Sequence, residues 1–199
     1  MAPSGVLLDL LMAVMDSPAV WSAAAGDPKV GMAWRDAVTA RIIASRSYRP
    51  YEDLVHAAAE ELALPARATE DLLGRWASMD PRPDARSIDR VTVPYAFVTN
   101  CSAHLAGLAA GRSGLRPVFV LSAEEAGVYK PQPAIYHAAC RRLGVDPAAT
   151  LFVAGAPYDA DGARRAGLRA VLVRRRSDVE PPDRVPVLGS LDEIATSVR

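Results

Sequence analysis

Lysine is nearly absent from this chain. Of its 23 basic residues only Lys29 and Lys130 are lysines, and the rest are arginines. Either lysine therefore calls for a reason. Cysteine is equally sparse: Cys101 and Cys140 form no CxxC or Cys/His spacing, which argues against a disulfide framework and a structural metal site. A reduced, cytoplasmic protein is expected, without metal or cofactor. The chain also has no net charge, its 23 acidic residues balancing the basic ones, so it carries no field to draw nucleic acid or an anionic membrane. The arginine triplet at 174–176 follows an apolar run and reads as a solvated strand end. No apolar stretch has the length of a membrane span. Residues 1–17 are apolar, but they lack a basic leader region and are interrupted by Asp9 and Asp16, so a buried strand is expected there.

Half of the 199 residues are apolar, enough for one α/β core with an insertion. Residues 6–10 form a short apolar run ending in an acidic region, the pattern of a central strand in a parallel sheet. Between residues 18 and 80 the period changes. Val30, Trp34, Val38 and Ile42, then Leu54, Ala58 and Leu62, then Leu72, Leu73 and Trp76 recur at helical spacing, which predicts an all-helical cap. The segment DPRPD at 80–84 ends it. Strands are then predicted at 95–99, 118–121, 151–154 and 170–173, alternating with helices at 103–110, 134–143 and 160–166. This predicts a Rossmann-like parallel sheet covered by helices, with core residues 1–17 and 81–199 and the cap at 18–80. Residues 179–186, with three prolines, read as a surface loop before a last helix. Ligands of such sheets bind beyond the carboxyl ends of the strands, where Asp9, Thr99 and the loop after 151–154 fall.

Four segments there form an ordered set: VLLDL with Asp9; FVTNCS with Thr99, Asn100 and Cys101; VYKPQPAIY with Lys130 and Tyr136; and LFVAGAPYDADGARRAGL with Tyr158 and Asp159. In order and spread they resemble the motifs of the haloacid dehalogenase superfamily. Singly none is specific. The likeness is to 2-haloacid dehalogenases more than to phosphatases: the phosphatase's second aspartate is Leu11 here, its metal-binding acid is Ala156, and the dehalogenase tryptophan-arginine pair is Trp34 and Arg35. A hard cation needs several oxygen ligands, which Asp9 and Asp159 alone do not supply.

The resemblance implies that Asp9 attacks a carbon bearing a leaving group and that Lys130 keeps it ionised. Arg35, Thr99 and the backbone of Asn100 and Cys101 would grip the substrate carboxylate. Tyr136 and Asp159 would orient the lysine and a hydrolytic water, and Tyr158 would join the substrate contacts. It also implies a homodimer. Three positions depart from the family pattern: a threonine is replaced by Ala13, and a serine and an asparagine by Ala154 and Ala156. Side chains that would orient Asp9 and hold the hydrolytic water are thus missing. A second reading follows from this, a degenerate member in a natural-product biosynthetic pathway that assists an internal displacement, such as aziridine-type ring closure, or a non-catalytic subunit stabilising a partner enzyme in a hetero-complex.

Plainer readings stand beside these. Asp9 could simply cap the following turn, Asp159 could bond its own loop, and Arg35 could snorkel along the cap. The three tryptophans read as cap core, and Cys101 could gain reactivity if a helix N-terminus lowered its pKa. His104 is placed within reach of the site, His56 and His137 on helix surfaces.

Overall fold

The computed structural model describes residues 2–194. Six strands, β1 (Gly5–Asp9), β2 (Tyr95–Thr99), β3 (Val120–Ser122), β4 (Thr150–Ala154), β5 (Arg169–Val173) and β6 (Val187–Leu188), form one sheet in the order β3-β2-β1-β4-β5-β6. All neighbours pair in parallel. Strand β1 is wholly buried between β2 and β4 because both faces of Val6, Leu7 and Leu8 are covered. The chain order reverses at β1, so Asp9 ends a strand where ligands of open parallel sheets bind.

Between β1 and β2 the chain forms α1 (Ser17–Ala25), α2 (Pro28–Ala44), α3 (Tyr51–Glu61) and α4 (Arg67–Arg75). Trp21 and Trp34 meet edge to face at 4.9 Å in their core. The Trp34 indole donates to the Val55 carbonyl, and the Trp76 indole donates to Leu105 of α5 (Ala103–Ser113), which ties the insert to the sheet layer. Helix α2 crosses α1 closely at Gly31, where a Cβ would lie 2.6 Å from the Trp21 carbonyl. The short α6 (Ala123–Ala126), α7 (Pro133–Leu143) and α8 (Pro157–Arg165) complete the helical layers.

The Rossmann-like α/β architecture predicted from the alternating segments is present, with shifts at its edges. The first strand stops at Asp9, one residue early, because Leu10–Val14 winds into a π-helical turn capped by the Asp9 carboxylate. The third strand starts at Val120 and not at Val118, whose side chain is exposed while its amide bonds Tyr95. Strand β6 follows the proline loop, and Leu191–Glu193 after it is a 3₁₀ turn. The rest of the expected last helix lies outside the described residues. No described helix is long and apolar enough to cross a membrane.

Candidate active site

Asp9 uses its two oxygens differently. Oδ2 accepts the amides of Met12 (3.0 Å) and Ala13 (3.3 Å), capping the π-helical turn, while Oδ1 accepts Lys130 Nζ at 2.8 Å. The capping and pairing readings of Asp9 therefore hold together. Lys130 is fully buried, and its three donors reach Asp9, Asp159 Oδ2 (2.7 Å) and the Val98 carbonyl (2.9 Å). An ammonium has three N–H groups, so its donor capacity is filled. Burial works to lower the lysine's pKa, but Asp159 and Asp9 outweigh it and raise it. The ammonium persists.

Asp159 is 1% exposed at the start of α8. Its Oδ2 meets Lys130, and its Oδ1 accepts the Tyr136 hydroxyl. Burial pushes this carboxyl up to about 6, against the pull of Lys130. Helix α8 can lie this close because residue 162 is glycine: a Cβ there would sit 2.4 Å from Pro131 and 2.8 Å from the Tyr136 hydroxyl. Gly155 does the same for the capping turn, with a virtual Cβ 2.4 Å from the Ala13 nitrogen.

A chamber of about 40 Å³ lies over Asp9, walled by Leu11, Trp21, Arg35, Tyr51, Asn100 and Tyr158 among others. Sequence reasoning did not single out Tyr51 as a site residue. Only the fold brings α3 over β1, and burial keeps its phenol well above the usual range, hence neutral. Tyr158 is likewise held up to about 12 by burial. Arg35 is largely buried and touches one carboxylate, Asp36, at 3.2 Å. Asp36 in turn accepts both of its closer bonds from Arg176, at 2.8 and 2.9 Å.

Several sequence-based placements need correction. Thr99 is fully buried and its hydroxyl pairs with the Cys101 thiol at 3.5 Å, so it does not present that hydroxyl to the chamber. Cys101 is not activated, since burial pushes its thiol up to about 12. Tyr136 is sealed beneath Asp159 and serves that carboxylate, not a substrate. Asn100 does border the chamber, but its amide holds Lys130: Oδ1 accepts the lysine amide at 2.7 Å and Nδ2 donates to the lysine carbonyl at 3.0 Å. Both Asp159 oxygens already accept a side-chain donor, Lys130 on one and Tyr136 on the other, and the side chain is 1% exposed. His104 is exposed on α5. The triplet 174–176 is not uniformly solvated: Arg175 pairs with Asp84 and donates to the Ala13 carbonyl at 2.7 Å, Arg176 joins Asp36, and Arg174 alone is exposed.

Asp9 and Asp159 converge on an ammonium, and no group of three or more His, Cys, Asp or Glu side chains that could hold a metal comes together among the described residues. The arrangement can present a carboxylate oxygen, flanked by a fixed cation, to a small electrophile beneath a guanidinium.

Comparison with known proteins bears on the fold and on part of the sequence. The sequence pattern of the haloacid dehalogenase-like hydrolases matches residues 80–167. (S)-2-haloacid dehalogenase 2 of Pseudomonas sp. strain CBS-3 is 36% identical over 120 residues, 57% of this chain and 52% of that protein. The chain thus spans about half the length of such curated relatives. A glyceraldehyde 3-phosphate phosphatase of Methanopyrus kandleri is 45% identical over 76 residues, 35% of this chain and 32% of that protein. Among solved structures, L-2-haloacid dehalogenase from Xanthobacter autotrophicus with chloropropionic acid covalently bound superposes with a TM-score of 0.83 at 19% identity, over 99% of this chain and 98% of that one. Residues 80–167 thus carry the sequence pattern of the haloacid dehalogenase-like hydrolases, and the fold of the described chain is the one seen in solved L-2-haloacid dehalogenases.

Proposed function

We propose that the chain is a metal-independent hydrolase of dehalogenase type, in which Asp9 displaces a leaving group from a small carboxylate-bearing substrate. The observation that carries this reading is the placement of Lys130: its ammonium occupies the space between Asp9 and Asp159 and is held there on three sides. An Asp9 oxygen attacks the carbon bearing the leaving group, a C–O bond forms, and halide or a similar anion departs with the bonding pair. Water then adds to the ester carbonyl carbon of Asp9, releasing the hydroxy acid, a proton and the carboxylate. Arg35 offers the substrate carboxylate a guanidinium whose own partner, Asp36, is already held by Arg176. The test is mass spectrometry of protein mixed with 2-chloro- or 2-bromopropionate in a single turnover. A mass shift on the Asp9 peptide with halide release is expected; neither appearing would end the reading.

A second reading is favoured by the alanines at 13, 154 and 156, which leave the ester-hydrolysing step without side-chain support. In it the chain serves a biosynthetic pathway, assisting an internal displacement or stabilising a partner enzyme. Asp9→Asn then leaves the activity of the complex intact, whereas the first reading requires its loss.

A further inference from the structure

The chamber over Asp9 is small for the molecule it would serve. Its 40 Å³ holds about three waters, since one water needs roughly 10–15 Å³ of such volume. Beside it lies a cavity of about 310 Å³, within the range of small-molecule sites, about 300–1,000 Å³. Met12, Arg35, Thr39 and Tyr158 border both spaces, so the two meet at a neck that carries the guanidinium. Beyond the neck the wall surface is chiefly apolar, from Ala40 and Ile43 of α2 on one side and Ala156, Pro157, Leu172 and Val179 on the other, although Asp36 and the arginines at 174–176 also line the cavity. Ile43 is 48% exposed, an apolar side chain that borders this cavity while facing solvent.

Building on the dehalogenase-type reading, we infer that the acid taken by this chain carries an extended apolar tail. Its carboxylate sits on Arg35 at the neck, its reacting carbon enters the chamber, and the tail fills the cavity between α2 and the segment after β5. The ligand class is a medium-chain aliphatic acid. Each methylene that moves from water into these walls tightens binding roughly fourfold, from about 0.8 kcal/mol per buried CH₂.

The test uses the full chain, with calorimetry of decanoate below its micelle concentration and of propionate. Decanoate is expected to bind the wild type far more tightly. Ile43→Trp and Ala40→Trp fill the cavity from exposed positions, and each is expected to lose roughly tenfold or more of the decanoate affinity, the worth of a few buried methylenes, while propionate is unaffected. Two variants guard against misfolding of one. Decanoate binding no tighter than propionate, or undiminished in both variants, would overturn the inference. Labelling with 2-bromodecanoate and 2-bromopropionate separates the claims: tight decanoate binding without alkylation of Asp9 keeps the cavity and removes the nucleophile, and alkylation by the short acid without decanoate binding does the reverse.

Discussion

Asn100 and Lys130 exchange two hydrogen bonds, side-chain amide to backbone, at 2.7 and 3.0 Å. The pairing copies the donor-acceptor geometry of a sheet ladder where none exists, and it places the loop bearing the lysine against the end of β2. Removing it strands a buried amide and a buried carbonyl. Asn100→Ala is expected to cost about 1–3 kcal/mol of stability and to lower kcat while leaving KM largely unchanged, because Lys130 is displaced and Arg35 is not. Urea denaturation and steady-state kinetics check the two parts. Asn100→Asp does not rescue, since a carboxylate cannot donate to the Lys130 carbonyl.

Lys130→Met leaves two carboxylates buried without their cation. A loss of about 3–5 kcal/mol is expected, as for other buried pairs broken on one side. Lys130→Met/Asp159→Asn should recover part of it, and a double-mutant cycle by urea denaturation measures how much.

The stability of the protein should fall as pH rises from about 4 through about 6. Asp159 titrates near 6 in the fold because it is buried, against about 3.9 unfolded. The folded state therefore holds its proton longer, and that contribution is complete below the unfolded pKa and gone above the folded one. Denaturation midpoints across this window test it, and Asp159→Asn should flatten the slope. Under the dehalogenase-type reading the alkylation rate moves the opposite way, rising through the same pH, because an ionised Asp159 shares the lysine that otherwise belongs to Asp9 alone.

Gly155→Ala and Gly74→Ala should have opposite signs. The first drives a methyl group into the Ala13 nitrogen and Met12 at about 2.5 Å, disrupting the turn capped by Asp9, and is expected to cost about 1–3 kcal/mol or more. The second, at an exposed position of α4, meets nothing within 4 Å and should gain about 0.5–1 kcal/mol. Thermal melts of the two variants decide.

The parallel α/β sheet was legible in the chain because short apolar runs alternate with helical periods, whereas the meeting of Asp9, Lys130 and Asp159 was legible only through the resemblance of four ordered motifs to a known family. The π-helical turn at Leu10–Val14 was not legible, because LLMAV is apolar throughout and carries no period. Nor were the partners of Asn100, Thr99 and Tyr136. Nothing local in the sequence pairs their polar groups, and only packing across 23 to 30 residues, or within a buried strand end, shows that protein has already filled them. Tyr51 and the second cavity depend on how α2 and α3 lie over the sheet, which no local pattern encodes.

Trp21, Trp34 and Trp76, the only tryptophans of the chain, all belong to the segment between β1 and β2, and Trp21 walls the chamber above Asp9. Tryptophan emission from the native protein, excited selectively over tyrosine, consequently reports on the insert, while the strands of the sheet carry no tryptophan. The molecule carries its own optical label on the side that closes over the carboxylate, so entry of an acid, or detachment of the insert before the sheet melts, can be followed without adding a dye.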